Sequence, residues 1–469
     1  MTLGNLIQIS AQGPEDKFLY GNPQITYFKE VYKRSTNFAV NYTKVPFIGN
    51  DQADFGNTIR LNIPMKADLL AGIYMKIKLK DLERKENYTY SDGTVNKVPN
   101  FTSYINGIGF NCLDEVRLYI NGILIETLNG ELIYLMNELN NNYSQKISFY
   151  RMSRFYKKDF DIGTTNTTDV NTELLLPFFF TKKSSYYLPI CALNHSNIEI
   201  QIKFKPLSKC IIHSYNAMGM QGPGINGYIA DIGGDYSISN GNVPAQFEKY
   251  DEEVVGGIES VEIYSQNIYL EKVEKQMFMN KNLSYLVELF HIGSTHTIEN
   301  PNSNDTYFID ITGNNPTKYI LWMLQREDVF ESNFLENTTY DFNLKYGDGF
   351  YNHNFENHIL DTAQIVMNNS DVINPMDSLF LSDLQMFEKF NNSSLSPFYI
   401  YSFALKPQLI EPTGTMNLSR IKHKTIKIKL KNENLFTNNS IKPNILLRHY
   451  NCHYNILVIK SGLAGLMYQ

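Results

Sequence analysis

VRLYINGILIETLNGELIYLMNEL, residues 116–139, is followed 247 residues later by AQIVMNNSDVINPMDSLFLSDLQM, residues 363–386. Both stretches contain an alternating strand, a tight turn centred on asparagine, and a short apolar run with helical spacing. Asn121 of the first stretch aligns with Asn368 of the second. Because similarity at one fixed period is the signature of an internal repeat, this pair decides how the rest of the chain is divided.

The same offset relates two further pairs of alternating strands. It aligns Met75 of AGIYMKIKLK with Trp322 of KYILWMLQRE. It also aligns Phe38 with Tyr285, each near the start of a strand. Three separate segments that share one offset are difficult to obtain from unrelated domains, so the sequence predicts two tandem copies of one β fold.

Composition and strand patterning indicate the fold class. The chain of 469 residues contains 32 Tyr and 29 Phe but one Trp, which favours half-buried strands over helical bundles. Strands such as IEIQIKFK and TIKIKLK alternate apolar and polar residues, so one face of each lies in a core. Immunoglobulin-like and jelly-roll sandwiches both fit, and the long polar connections favour jelly rolls. We therefore predict an all-β fold of two tandem eight-stranded antiparallel jelly-roll sandwiches with a few short helices.

Changes in composition give the expected domain boundaries. Residues 1–21 are expected to form an N-terminal arm, 22–217 the first jelly roll and 255–469 the second. The glycine-rich stretch 218–254 is the expected link between the two copies.

The stretch GNPQITYFKEVYKRSTNFAV, residues 21–40, predicts a short helix that leads into a strand. Asn22 and Pro23 suit the N-cap and the first helical position, and from Phe38 the apolar period falls to two. The apolar stripe of the predicted helix consists of Ile25, Phe28 and Val31. The same order of helix and strand is predicted in the second copy, in KVEKQMFMNKNLSYLVEL, residues 272–289.

Charge and cysteine content exclude several classes of protein. The formal net charge of -6 provides no global attraction to nucleic acid or to an anionic membrane. The four cysteines lack CxxC spacing, so we expect reduced thiols in a cytosol-like compartment rather than a disulfide framework or a zinc site. The sequence shows neither the pattern of a signal peptide nor an apolar run long enough to span a bilayer, which predicts neither export by a signal peptide nor a membrane-spanning helix.

Motifs for catalysis and cofactor binding are also missing from the sequence. It contains no nucleophile elbow, Walker loop, paired dinucleotide-binding glycine motif or cupin histidine pair. His449, Cys452 and His453 are metal-ligand types at close spacing, but they lie on a predicted strand without a second pair nearby. We therefore expect packed or surface residues there, and we predict no enzymatic activity, no catalytic residues, no cofactor and no metal.

The opening motif GNPQITYFKEVYKRSTNFA closely resembles the N-terminal hallmark of the major capsid proteins of nucleocytoplasmic large DNA viruses. Five later stretches are similar to the same family, in its order. They are LPICALNHSNIEIQIKF, VEIYSQNIYLEKVEKQMF, NPTKYILWMLQ, YSFALKPQLIEPTGTMNLSRI and YNILVIKSGLAGLMY. The resemblance covers nearly the whole chain.

The resemblance implies a double jelly roll that forms a homotrimeric capsomer of nearly hexagonal outline and tiles the icosahedral shell of a large double-stranded DNA virus. Three copies of a chain with two similar sandwiches present six similar walls, so a three-fold object fills a six-fold lattice position. The implied partners are further copies of the chain, neighbouring capsomers, and minor capsid and penton proteins. An inner membrane beneath the shell is a further candidate, and direct contact with nucleic acid is not implied. The implied location is the virion, after synthesis and assembly in the host cytoplasm.

The resemblance also implies roles for particular residues. In this family the N-terminal segment lies beneath the shell, so the predicted helix would act as a foot whose apolar stripe contacts the base of the sandwich. Its basic side chains, which would face what lies below, are Lys29, Lys33 and Arg34. A helix that only covers an open sheet edge is the alternative, and both roles can hold together.

A second motif near the C-terminal end of the chain is long and specific. Its structural positions are Pro412, Gly414, Asn417 and Arg420. Arg420 either closes a buried hydrogen-bond network between strands, as the resemblance favours, or is an ordinary surface residue.

Two other functions fit a protein with this sequence. One is a low-copy paralogue of the capsid protein, or a scaffold with the same fold. The other is a glycan-binding β-sandwich protein, because jelly rolls are also a lectin architecture.

Overall fold

The computed structural model describes residues 3–11, 22–26, 28–29, 33–49, 51–84, 101–105, 107–155, 170–214, 254–326, 358–393, 398–431 and 444–468. The chain divides into two compact units, Met1–Phe38 and Ala39–Gln469. In the smaller unit the described residues include one helix, α1 (Leu3–Ser10).

The first sandwich is built from two antiparallel four-stranded sheets and short flanking elements. Its strands are β1 (Phe38–Val45), β2 (Thr58–Asn62), β3 (Leu69–Leu79), β4 (Glu83–Arg84), β5 (Phe101–Tyr104), β6 (Leu113–Ile120), β7 (Ile123–Leu128), β8 (Asn171–Leu175), β9 (Ile198–Phe204), β10 (Ile211–Ser214), β11 (Val254–Val255) and β12 (Ile258–Leu270). Its helices are α2 (Ile108–Asn111), α3 (Gly130–Asn140) and α4 (Tyr143–Ser153). The strand orders are β1-β12-β3-β8 and β2-β9-β6-β7, which is the order of a jelly roll.

The second sandwich repeats this order. Its strands are β13 (Leu283–Ile292), β14 (His296–Ile298), β15 (Thr306–Asp310), β16 (Pro316–Arg326), β17 (Leu360–Met367), β18 (Ser370–Asp377), β19 (Tyr399–Ser402), β20 (Met416–Asn417), β21 (Lys424–Leu430), β22 (Ile445–Lys460) and β23 (Leu463–Leu466). Its helices are α5 (Lys272–Asn280) and α6 (Gln385–Phe390), and a π-helical turn (Phe380–Leu384) precedes α6. The strand orders β13-β22-β16-β19 and β15-β21-β17-β18 match those of the first sandwich, so the predicted double jelly roll is confirmed.

The internal repeat is confirmed at two of its three predicted pairs. β3 and β16 begin and end at positions related by the predicted offset and hold the same place in their sheets, which makes Met75 and Trp322 equivalent. β6 and β17 end at positions related by the same offset and are likewise equivalent, so Asn121 and Asn368 occupy equivalent turns.

The predicted pairing of Phe38 with Tyr285 stays a prediction, although the strands next along the chain are related by a slightly different offset. β2 and β15 begin and end at positions that differ by 248 residues instead of 247. The reason is a connection between β2 and β3 that is one residue longer than the connection between β15 and β16.

The predicted domain boundary also changes. β12 pairs along its length with β3, so the last strand of the first sandwich follows the glycine-rich stretch 218–254. The flanking strands β10 and β11 pair with β5 and β4, so both ends of this stretch belong to the first sandwich. Residues 215–253 lie outside the described residues. A glycine-rich composition marks a long loop, and such a loop joins two strands of one domain as well as two domains. The second sandwich therefore begins with α5 rather than at residue 255.

The two predicted helix-to-strand passages differ in the structure. α5 precedes β13 as expected, where Lys275 pairs with Asp68 at 2.6 Å and Phe278 packs against the cluster around Leu69. The first passage shows no helix at residues 22–26, 28–29 and 33–37, the parts that the structure describes. A helix this short is marginal without tertiary packing, which α5 has within this chain.

Candidate assembly surfaces

The two sandwiches share a continuous apolar interface on the outer face of the β13-β22-β16-β19 sheet. Alternate residues of β16 face in opposite directions. Ile320, Trp322 and Leu324 lie in the core of the second sandwich. Tyr319, Leu321 and Met323 join the core cluster of the first sandwich. Because β16 is buried on both faces, it has an unbroken apolar run instead of the alternation that a half-exposed strand shows.

A buried ion pair crosses this interface near the start of α3. The Arg448 guanidinium on β22 contacts the Glu131 carboxylate at 2.9 Å and 3.0 Å. The Tyr450 hydroxyl donates to the same carboxylate at 2.9 Å and accepts from the Asn129 side-chain amide at 3.2 Å. Asn129 also caps α3, so the interface contact and the helix start depend on one residue.

A second charged group crosses the interface at β13. Glu288 accepts from Lys182 of the first sandwich at 2.9 Å and also from Lys318. Burial favours the neutral acid, yet the two lysines hold the pKa of the Glu288 carboxyl below its usual value. The Lys182 ammonium also lies 5.7 Å from the centre of the Phe290 ring. The Glu288 carboxylate thus binds one lysine from each sandwich through charge-assisted hydrogen bonds, which holds the two sandwiches together at this point.

A third polar contact joins α3 and α4 to the segment after α6. Lys146 is buried against Glu138 at 3.3 Å and donates to the carbonyl of Ser393. The Asn392 side chain donates to the carbonyls of Glu138 at 3.0 Å and Asn141 at 2.8 Å. The two sandwiches are thus joined by apolar packing and by polar contacts, which include these three clusters and the hydrogen bonds from the His195 amide and the Ser196 hydroxyl to the Gly462 carbonyl.

Sequence reasoning missed these interface residues, although two signals could have identified them. One is the apolar run from Tyr319 to Leu324, which is too continuous for a strand with a wet face. The other is Arg448 near the start of β22, directly after three apolar residues, because a buried charge at such a position needs a partner.

The N-terminal residues expected to form a foot are exposed in the single chain. The exposed fraction is 75% for Ile25 and 99% for Phe28. Lys29, Lys33 and Arg34 are exposed as well, and Val31 lies outside the described residues. The described residues of this segment therefore do not form the predicted helical face.

The second motif shapes a loop beside β16. Gly414 has a φ of +132°, and a Cβ there would lie 2.7 Å from the Phe403 carbonyl oxygen, so glycine is required. Asn417 is paired with Pro316, and its side chain accepts from the Ser419 amide at 3.1 Å. Pro412 and Arg420 are exposed. Of the two alternatives for Arg420, the single chain therefore shows the second, a residue on the surface.

The histidine and cysteine group on β22 is not arranged as a metal site. His449 and Cys452 differ by three positions and therefore face opposite sides of the strand. His449 accepts from the Thr312 amide at 3.1 Å, and burial lowers its pKa to about 4. Burial raises the pKa of the Cys452 thiol to about 11. Across the described ranges no group of three or more ligand side chains could hold a metal ion.

None of the helices in the described part of the chain is long and apolar enough to cross a bilayer.

Two jelly rolls in tandem, joined through a sheet that is buried on both faces, define a double jelly-roll protein. Comparison with known proteins shows the family to which it belongs. The family model for the major capsid protein N-terminus matches residues 26–271, and the model for the large eukaryotic DNA virus major capsid protein matches residues 274–465. The chain belongs to this family of major capsid proteins. The two matches meet at the start of α5, where the structure also places the boundary between the sandwiches.

Individual relatives agree over the full length. The chain is 25% identical to the major capsid protein of Paramecium bursaria Chlorella virus 1 and 24% identical to the probable capsid protein 4 of Acanthamoeba polyphaga mimivirus. Each comparison covers 99% of both chains. Among solved structures, a chain of the PBCV-1 virus capsid gives a TM-score of 0.69 at 19% identity, covering 95% of this chain and all of that one. The Faustovirus major capsid protein gives 0.68 at 12% identity, with 97% and 96% covered, and both show the same fold.

Proposed function

We propose that this chain is the structural shell protein of a large double-stranded DNA virus, and that three copies close into a capsomer. The observation that carries the proposal is the equivalence of the two sandwiches, strand for strand, within one chain of the capsid family. Three such chains in a ring present six similar walls, which suits a lattice position with six neighbours. The obligate interface should bury on the order of 2,000 Å² or more in total.

The role is structural and involves no catalysis. Its partners are the other two chains of the capsomer, neighbouring capsomers, and minor capsid and penton proteins. The protein resides in the virion after assembly in the host cytoplasm, without direct contact to nucleic acid. The net charge of -6 supports the last point, because a protein that coats nucleic acid usually carries the opposite sign.

We also infer that the N-terminal segment is a foot that binds a partner beneath the shell. Exposed Ile25 and Phe28 supply apolar contact area, and Lys29, Lys33 and Arg34 supply local positive charge on an otherwise acidic chain. An acidic minor capsid protein and the anionic headgroups of an inner membrane are the two partners whose chemistry fits.

A low-copy paralogue is the second candidate, because two of the relatives are different capsid proteins of one virus. Purified particles separate the candidates. If the chain is the major shell protein, it should dominate the protein mass of the particle, and capsomers of three-fold symmetry should appear in electron micrographs. A copy number of a few per particle would instead identify a minor paralogue.

A further inference from the structure

Three buried side chains of different chemistry meet where α3 and α4 pack together. They are Asn137 and Glu138 on α3 and Lys146 on α4, with exposed fractions of 4%, 0% and 2%. Oε2 of the Glu138 carboxylate accepts from the Lys146 ammonium at 3.3 Å. Oε1 of the same carboxylate accepts from the Asn137 side-chain amide, also at 3.3 Å. A single carboxylate thus bridges a buried amine and a buried carboxamide.

The carbonyl group of the Asn137 side chain is polarised by a second asparagine. Nδ2 of Asn141 donates to Oδ1 of Asn137 at 2.8 Å. A donor in this position stabilises the negative charge that forms on a carbonyl oxygen when a nucleophile adds to the carbonyl carbon. The side-chain carbon of Asn137 is therefore activated for attack by an amine.

Lys146 is placed to supply that amine. Burial disfavours the charged forms of both partners of an ion pair. Transfer of one proton from the Lys146 ammonium to Oε2 of Glu138 makes both groups neutral, and a neutral amine is a nucleophile. The Tyr150 hydroxyl also donates to Oε1 of Glu138, which helps to hold the carboxylate between its two nitrogen partners.

We propose that Lys146 and Asn137 form an isopeptide bond in the folded chain, with Glu138 as the proton carrier. Nζ of Lys146 attacks Cγ of Asn137, the bond between these two atoms forms, and the bond between Cγ and Nδ2 breaks. The released nitrogen takes up the two protons that the Lys146 ammonium gives up, and it leaves as ammonium. Glu138 carries these protons between its two oxygens and ends as the carboxylate that it was at the start. Nothing is oxidised or reduced, and no further reagent is needed.

The cross-link joins two helices that support part of the second sandwich. Lys146 donates to the Ser393 carbonyl, and the amide formed by the reaction retains one N–H that can make the same hydrogen bond. The Asn392 side chain donates to the backbone carbonyl of Glu138 at 3.0 Å. A bond between α3 and α4 therefore fixes the surface on which this segment lies. A covalent closure limits the freedom of the unfolded chain, which suits a shell protein that must persist outside a cell.

Peptide mass spectrometry of the purified, folded chain tests the bond. Trypsin should fail to cut after Lys146, so that residues 118–151 are recovered as one peptide. The mass of this peptide should be lower by one ammonia than the mass that its sequence gives. Further digestion after glutamate should leave residues 132–138 and 139–151 joined to each other, which a linear chain cut after Glu138 cannot show.

Two variants and a matched control assign the roles. Lys146→Arg retains the positive charge but lacks the amine, so it should abolish the cross-link. Glu138→Gln removes the proton carrier and should slow formation of the bond by at least about 100-fold, as read from the tryptic peptide alone. Lys203→Arg is the control, since Lys203 pairs with Asp114 at 2.6 Å on the surface of the same sandwich, and it should give the linked peptides in full. A cooperative thermal transition of each variant establishes that it folds.

Two results would overturn the proposal. If trypsin cuts completely after Lys146 in wild-type protein that has stayed folded for several days, the group is a buried ion pair without a covalent bond. If ammonia is lost but the cut after Lys146 still occurs, the product is a cyclic imide of Asn137 with its own backbone. Neither result depends on the number of chains in the assembly, so the proposed trimer stands or falls separately.

Discussion

Asn121 and Asn368 form the same corner in the two sandwiches. Both have left-handed backbone, with φ of +53° and +48°, as does the residue that follows each. Asn121 donates its backbone amide to the Asn197 carbonyl at 2.9 Å, and Asn368 donates to the His423 carbonyl at 2.8 Å. Asn197 and His423 directly precede the equivalent strands β9 and β21, so the repeat extends to single hydrogen bonds.

Replacement of Asn121 by valine should destabilise the first sandwich. A β-branched residue pays about 1–2 kcal/mol in the left-handed region, where asparagine and glycine are tolerated. Chemical denaturation measures the change in the free energy of unfolding. Asn121→Gly is the matched control and should change that free energy by less than about half as much. Equal losses in the two variants would show that backbone conformation is not the reason for asparagine at this corner.

Removal of the Glu131 carboxylate should weaken the interface between the sandwiches. Glu131→Ala leaves the Arg448 charge buried without its carboxylate, which typically costs about 3–5 kcal/mol. The double variant Glu131→Ala with Arg448→Met should recover much of this loss. Glu259→Ala is the control, because the Lys78–Glu259 pair is solvent-exposed and should contribute less than about 1 kcal/mol. Thermal unfolding in which the single and double variants lose the same amount would contradict a coupled buried pair.

Acid should destabilise the fold through two buried histidines. Burial lowers the pKa of His449 and His453 to about 4. The neutral form of each histidine is favoured in the folded protein. Its contribution to the free energy of unfolding is therefore fully present above the histidine pKa of about 6.5 in the unfolded chain, and it is lost as the pH falls towards 4. Glu126 acts in the opposite direction, because burial raises the pKa of its carboxyl to about 7. A shift of this size corresponds to at most about 3 kcal/mol for each group, so the two histidines should outweigh the one carboxyl.

Two variants separate these contributions in unfolding experiments between pH 7 and pH 4. His449→Gln should reduce the loss of stability on acidification. Glu126→Gln should increase it, because it removes the opposing carboxyl and stabilises the protein near pH 7. If both variants change the loss of stability on acidification in the same direction, the assignment of the pH dependence to these residues is wrong.

The proposed foot should separate folding from assembly. Substitution of Lys29, Lys33 and Arg34 by glutamine should reduce incorporation into shells and leave the melting temperature of the trimer nearly unchanged. Binding to the underlying partner should weaken as salt rises through the physiological range, since exposed charges are screened. Deletion of residues 1–34 should likewise give a folded trimer that docks poorly.

Glutamine substitutions at three other lysines, Lys422, Lys427 and Lys429, are the control for total charge. The foot is ruled out if the N-terminal variants assemble as well as this control, or if the deleted chain does not fold.

The sequence predicts the repeat well because the repeat depends on local rules. Left-handed turn positions select asparagine at residues 121 and 368, and half-buried strands alternate. The boundary after β12 depends on a long-range pairing with β3, which has no local signature. The change of offset from 247 to 248 residues between β2 and β15 arises from a single residue in a loop, and the alternating pattern of a strand carries no mark of such an insertion. The contact between the sandwiches requires knowledge of which faces meet, although Arg448 and the apolar run of β16 indicate it.

The central claim is that three copies of this chain close into one ring, and native mass spectrometry of the purified protein tests it most directly. A closed ring of three chains should give a dominant species with three times the mass of the 54.1 kDa chain, which persists on dilution through the micromolar range. A stable species with the mass of one chain or of two would contradict it.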